Sequence, residues 1–127
     1  MRHRRPLYLI SAQPTNSALQ YFDNTVGMVF VGLGEEVVFR FYLMNLLLLR
    51  GMSPTMTIIL STFVFGGIHW SYGAGAMAFA TLAGLVLSII FVAARNLIAP
   101  IIVHVTYDAF FFVGGVASLW RVYSPAW

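Results

Sequence analysis

The sequence predicts an all-α protein, a multi-pass bundle of about four transmembrane helices, and three observations lead there. Hydrophobic residues make up 60% of the 127-residue chain and charged ones 9%, with mean hydropathy +0.85. A soluble domain carries roughly 25% charged residues. The apolar residues fall into four long stretches separated by short turn signals, each stretch long enough for a hydrocarbon core about 30 Å thick. None of the four shows the narrow apolar stripe of a surface helix, as expected of helices that face lipid or lie buried.

The first helix is expected from about Asn24 to Leu49, ended by Arg50-Gly51. Ser53-Pro54 offers an N-cap followed by proline at the first helical position, so the second is expected from there to about Trp70. Ser71 to Gly75 reads as a small-residue turn, and the third helix as about Ala76 to Ala94, stopping at Arg95-Asn96. The fourth is expected from about Leu97 to Trp120, with Pro100 tolerable in its first turn. The domain plan is thus a basic interfacial arm over 1–23 and a helical core over 24–123. Only Leu7 to Ile10 is apolar before Ser11 and Gln13, which argues against a signal peptide.

Charge excludes some functions and orients the bundle. All seven basic residues are arginines, and they are scattered apart from Arg2, Arg4 and Arg5, so no nucleic-acid-binding stripe is present. That cluster fits anionic lipid headgroups instead. Alternating helices place Arg2, Arg4, Arg5 and Arg121 on one side and Arg50 and Arg95 on the other. The positive-inside rule then puts the N-terminus in the cytoplasm. Tyr21, Trp70, Tyr72, Trp120 and Tyr123 fall on the N-terminal side as an aromatic belt. With no cysteine, disulfides and thiolate metal sites are excluded.

Three of the four acidic residues, Glu35, Glu36 and Asp108, lie inside apolar stretches, where a charge costs on the order of 3 kcal/mol or more. Glu36 and Arg40 are four apart with the acid first, the favourable order for a helical ion pair. Glu35 is rotated about 100° from Glu36 and can face elsewhere. His69 closes Phe65-Gly66-Gly67-Ile68-His69. His104 and Asp108, four apart, share a helix face. Each group has a structural reading as well: a helix-pairing ion pair, an interfacial histidine, a histidine–carboxylate strut with Phe65 as packing. Together they supply a candidate general base, two imidazoles and another carboxylate, while no Gly-x-Ser-x-Gly, cysteine nucleophile or His-Glu-x-x-His is present. A water activated by a glutamate is the simplest hydrolytic chemistry left.

Glu35-Glu36-x-x-x-Arg40, Phe65-x-x-x-His69 and His104-x-x-x-Asp108 resemble, in order and spacing, the three motifs of the CPBP family. These are the CAAX-protease and bacteriocin-processing (Abi) membrane proteins, related to the Ras-converting CAAX endopeptidase. The resemblance spans about residues 25–112. It implies an intramembrane glutamic endopeptidase in which Glu35 activates water, His69 positions it, and His104 with Asp108 stabilises the oxyanion. Glu36 and Arg40 would support the site. It implies no cofactor, with zinc as the alternative, and as partners the bilayer and a peptide or protein substrate, prenylated or a leader peptide. CAAX endopeptidases carry asparagine where this chain has Asp108; an ionised aspartate cannot donate a hydrogen bond, so it must be protonated or must orient His104. Family members usually carry more helices, so the chain reads as a fragment, a misplaced start or a minimal version of a larger fold. The rival functions are a non-catalytic immunity-type or partner-binding membrane protein and a metal-dependent membrane protease. Counted from the aromatic belt, His69 lies at about 6 Å and Glu35, His104 and Asp108 at about 13 to 20 Å, a mismatch in depth for one site.

Overall fold

A computed structural model describes residues 17–113, and within them four helices and no strand. Helix α1 is one unbroken helical rod over 17–49, starting well before the expected Asn24 and taking in the end of the expected arm. Its pitch changes along the way: π-helical turns at Asp23–Gly27 and Val37–Met44 interrupt the α-helical segments Ser17–Phe22, Met28–Glu36 and Asn45–Leu49. The remaining helices are α2, Pro54–Ile68; α3, Ala74–Ala94; and α4, Ile98–Asp108, continued by a π turn over Ala109–Val113. The rest of the expected fourth helix to Trp120, with Tyr123, Arg121 and Arg2, Arg4 and Arg5, lies outside the described residues.

The turns follow from their sequence. Gly51, at φ +83°, takes the left-handed position that closes α1. Its N–H reaches Leu48 O at 2.9 Å and the Met52 N–H reaches Leu47 O at 3.1 Å, the paired bonds of a Schellman cap. Ser53 Oγ accepts the Met56 N–H at 3.3 Å and Pro54 opens α2. α2 stops at Ile68 rather than Trp70: His69 is its C-cap and a 3-10 turn over Trp70–Tyr72 leads to Gly73, φ +95°. Trp70 and Tyr72 are both exposed. Arg95, φ 54°, ends α3, and the Asn96 side-chain oxygen accepts the Ala99 N–H at 3.0 Å ahead of α4.

Packing between α2 and α3 depends on small residues. A Cβ on Gly66 would lie 1.9 Å from Thr81 Oγ1 and 3.0 Å from Thr81 Cα, and one on Gly84 would lie 2.9 Å from Phe65 Cδ1. Such close backbone approach is how helices associate where lipid is as apolar as their side chains. Phe39, Phe65 and Ala80 form the apolar centre, with Phe39 and Phe65 edge to face at 5.1 Å. Burial is otherwise inverted relative to a soluble domain. Glu36, Arg40, Thr57, Ser61, Thr62, Ser88, His104 and Asp108 are buried, while Phe30, Phe41, Phe63, Leu82, Ile102 and Phe110 are exposed. Among the described residues one helix, α3, with mean hydropathy 2.4, is by itself long and apolar enough to cross a membrane; α2 and α4 are apolar but shorter.

Gly66→Ala is expected to lower the thermal midpoint in detergent, by the ~1–3 kcal/mol typical of overpacking. Gly67→Ala, whose Cβ meets nothing within 4 Å, is expected to leave it unchanged, and thermal scans of the two variants check the pair.

Candidate active site

The site forms where α1, the end of α2, α3 and α4 surround a cavity of ≈ 550 Å³. Glu35, His69, His104 and Asp108 all line it, with Tyr107 and Phe79 among the other lining residues. The two adjacent glutamates diverge. Glu36 is fully buried, whereas the Glu35 side chain is 24% exposed and faces the cavity. The π stretch at Val37–Met44 begins directly after them, and π turns inside α-helices concentrate at functional sites.

Glu36 Oε1 is the hub. It lies 3.1 Å from Arg40 Nη1 and accepts a hydrogen bond from His104 Nδ1 at 2.7 Å. Arg40 Nη2 donates to Gly84 O at 3.1 Å, and its guanidinium carbon sits 4.5 Å from the centroid of the Phe65 ring. One carboxylate and one guanidinium therefore tie α1 to α3 and α4, with Phe65 of α2 packed between them. Glu36, which the sequence paired only with Arg40, is the residue that holds His104 Nδ1. His104 Nε2 points the other way, 3.7 Å from Glu35 Oε2 and 3.6 Å from Asp108 Oδ2. Ser61 Oγ donates to Phe39 O at 3.4 Å, which fixes α2 beside this segment of α1.

His69 Nδ1 donates to Phe65 O at 2.8 Å, one turn back on α2, which leaves Nε2 as the lone-pair nitrogen of the neutral ring. The mismatch in depth arises because the helix ends are not level. Measured from the opposite end, Glu35 is 14 residues from Leu49 and His69 is 15 from Pro54, each about 21–22 Å along its helix. α1 simply runs on past the end of α2. Phe65 is packing, as its full burial between Phe39 and Arg40 indicates.

Several residues at the site escaped the sequence reading. Tyr107 stacks on His104 with centroids 5.1 Å apart and planes within 4°; its place three residues after His104 on one helix was the available signal. Gly32, one turn before Glu36, admits α4 closely: a Cβ there would lie 3.1 Å from Val105 Cγ2 and 3.7 Å from His104 Cγ. Gly84 supplies a carbonyl, for which no sequence signal exists. Among the described residues no group of three His, Asp or Glu side chains is arranged to hold a metal ion.

Glu36→Gln is expected to be the most damaging conservative change at the site, since removing the charge opposite a buried arginine costs ~3–5 kcal/mol. The thermal midpoint of the purified variant checks this.

Comparison with known proteins adds the family. The model for Rce1-like type II CAAX prenyl endopeptidases matches residues 17–110. Comparisons with curated proteins and with solved structures find no match. The matched segment contains all three motifs and most of the chain, and the chain belongs to the Rce1-like type II CAAX prenyl endopeptidase family, a membrane-embedded protease family.

Proposed function

We propose that this protein is an intramembrane glutamic peptidase that hydrolyses a peptide bond in a membrane-associated protein or peptide. The observation that carries the reading is the division between two neighbouring carboxylates. Glu36 is held by Arg40 and His104, whereas Glu35 is left facing a cavity that His69 and His104 also line. On this reading Glu35 removes a proton from a water that the His69 Nε2 lone pair orients, and the resulting hydroxide attacks the scissile carbonyl. His104 and Asp108 face the developing tetrahedral centre from α4, and Glu36 with Arg40 fixes where His104 stands. A buried polar site requires that water be brought to it and held, which a cavity with polar and aromatic walls does.

The inverted burial, polar within and apolar without, supports a multi-pass arrangement in the membrane. The cytoplasmic placement of the N-terminus stays part of this proposal. The family description makes a prenylated C-terminal peptide the first substrate to test, with leader peptides second.

Glu35→Gln, which keeps the shape and removes the base, is expected to lower cleavage of a quenched prenylated peptide by about 10²–10⁴-fold. Its thermal midpoint should stay near wild type. Unchanged cleavage would remove Glu35 as the base. Cleavage by the wild-type protein is also expected to survive strong chelators, and activity lost on chelation and restored by zinc would favour a metal-dependent reaction.

A further inference from the structure

His104 has one nitrogen committed and one poised. Glu36 is paired with Arg40 and so acts as an acceptor; the proton of the 2.7 Å contact therefore sits on His104 Nδ1. A neutral ring then carries its lone pair at Nε2, which lies almost equidistant from Glu35 Oε2, at 3.7 Å, and Asp108 Oδ2, at 3.6 Å. Two ionised carboxylates facing a lone pair are three acceptors with no donor. A single proton held among the three groups supplies the donor. The separations are longer than hydrogen bonds, as they commonly are before substrate tightens a site. The ring itself is held in its plane, stacked on Tyr107 and set edge-on to Phe65 at 5.9 Å.

We propose that Asp108 is the general acid that protonates the leaving amine, and that His104 Nε2 returns the proton from Glu35 to Asp108. The proposal rests on the peptidase reading with Glu35 as base. At the start Asp108 holds the proton and Glu35 is ionised. Glu35 takes one proton from water as the hydroxide oxygen bonds to the scissile carbonyl carbon. When the carbon–nitrogen bond breaks, its electron pair stays on nitrogen and takes the proton of Asp108. The acyl half leaves as a carboxylic acid and the other half as an amine. The enzyme is then left with Glu35 protonated and Asp108 ionised. Transfer from Glu35 to Nε2, and from Nε2 to Asp108, restores the starting state with one water consumed. The Glu36 carboxylate at Nδ1 stabilises the imidazolium formed in passing.

The test compares two versions of one prenylated peptide, with an amide or a thioester at the cleaved position. A thiolate leaves without being protonated and an amine does not. Asp108→Asn is expected to lower amide cleavage about 10²-fold or more while leaving thioester cleavage close to wild type. Asp108→Glu is expected to restore part of the amide rate. Glu35→Gln should lower both. Equal loss on both substrates, or loss on neither, would overturn the acid role of Asp108 while leaving the peptidase reading in place. Wild-type protein that cleaves neither version of the prenylated peptide, nor the same pair built on a leader peptide, would remove the peptidase reading and this proposal with it. Should Asp108→Asn fail to fold, Asp108→Ser takes its place, and an amide-to-thioester ratio equal to wild type in that variant overturns the proposal.

Discussion

A single carboxylate oxygen holds this bundle to its chemistry. Glu36 Oε1 meets Arg40 on its own helix and His104 on α4, in a site with no exposure. Ionic groups in such surroundings are tolerated only with partners, and removing one leaves the other stranded. The requirement propagates: Arg40 needs the Gly84 carbonyl, Gly84 needs to lack a side chain to lie against Phe65, and Phe65 lies beneath the guanidinium. One buried charge pair thus makes contact with all three of the other helices. The same contact decides which nitrogen of His104 faces the cavity. Packing and the orientation of His104 are therefore not separable at this residue.

The two glutamates illustrate how one helix serves both ends. Neighbouring positions on a helix diverge by about 100°, enough to put one carboxylate into the scaffold and the next into open space. The π stretch that starts at Val37 then changes the pitch of α1, so that Phe39, Arg40 and Met44 are all buried against neighbouring helices while Glu35 keeps its cavity face. α1 is in effect two helices of different register joined without a break.

Much of this was legible in the residues. The pairing of Glu36 with Arg40 and the shared face of His104 and Asp108 follow from fourfold spacing, and the turns at Gly51 and Ser53-Pro54 follow from glycine and capping chemistry. The contact between Glu36 and His104 was not, because it joins residues 68 apart and both already had a partner four positions away. Nor was the early start of α1. The arm over 1–23 was expected to lie at the interface, yet the described rod already includes Ser17 and carries Asp23 into a π turn. The end of α2 was misplaced by two residues because Ile68-His69-Trp70 offers no breaker; the glycine that reverses the chain is Gly73. The mismatch in the depth of His69 came instead from counting both helices from the belt side, where α1 runs on past the end of α2.

The brevity of α2 has a consequence for how such a site is supplied. Fifteen residues rise about 22 Å, less than a hydrocarbon core of about 30 Å. A helix that stops short leaves a dent above its last residue, walled by longer neighbours and rimmed by the exposed rings of Trp70 and Tyr72. On the proposed membrane reading, such a dent would let solvent reach His69 at its foot. Hydrolysis below the lipid surface would then need no channel through the protein, only one helix cut to the right length.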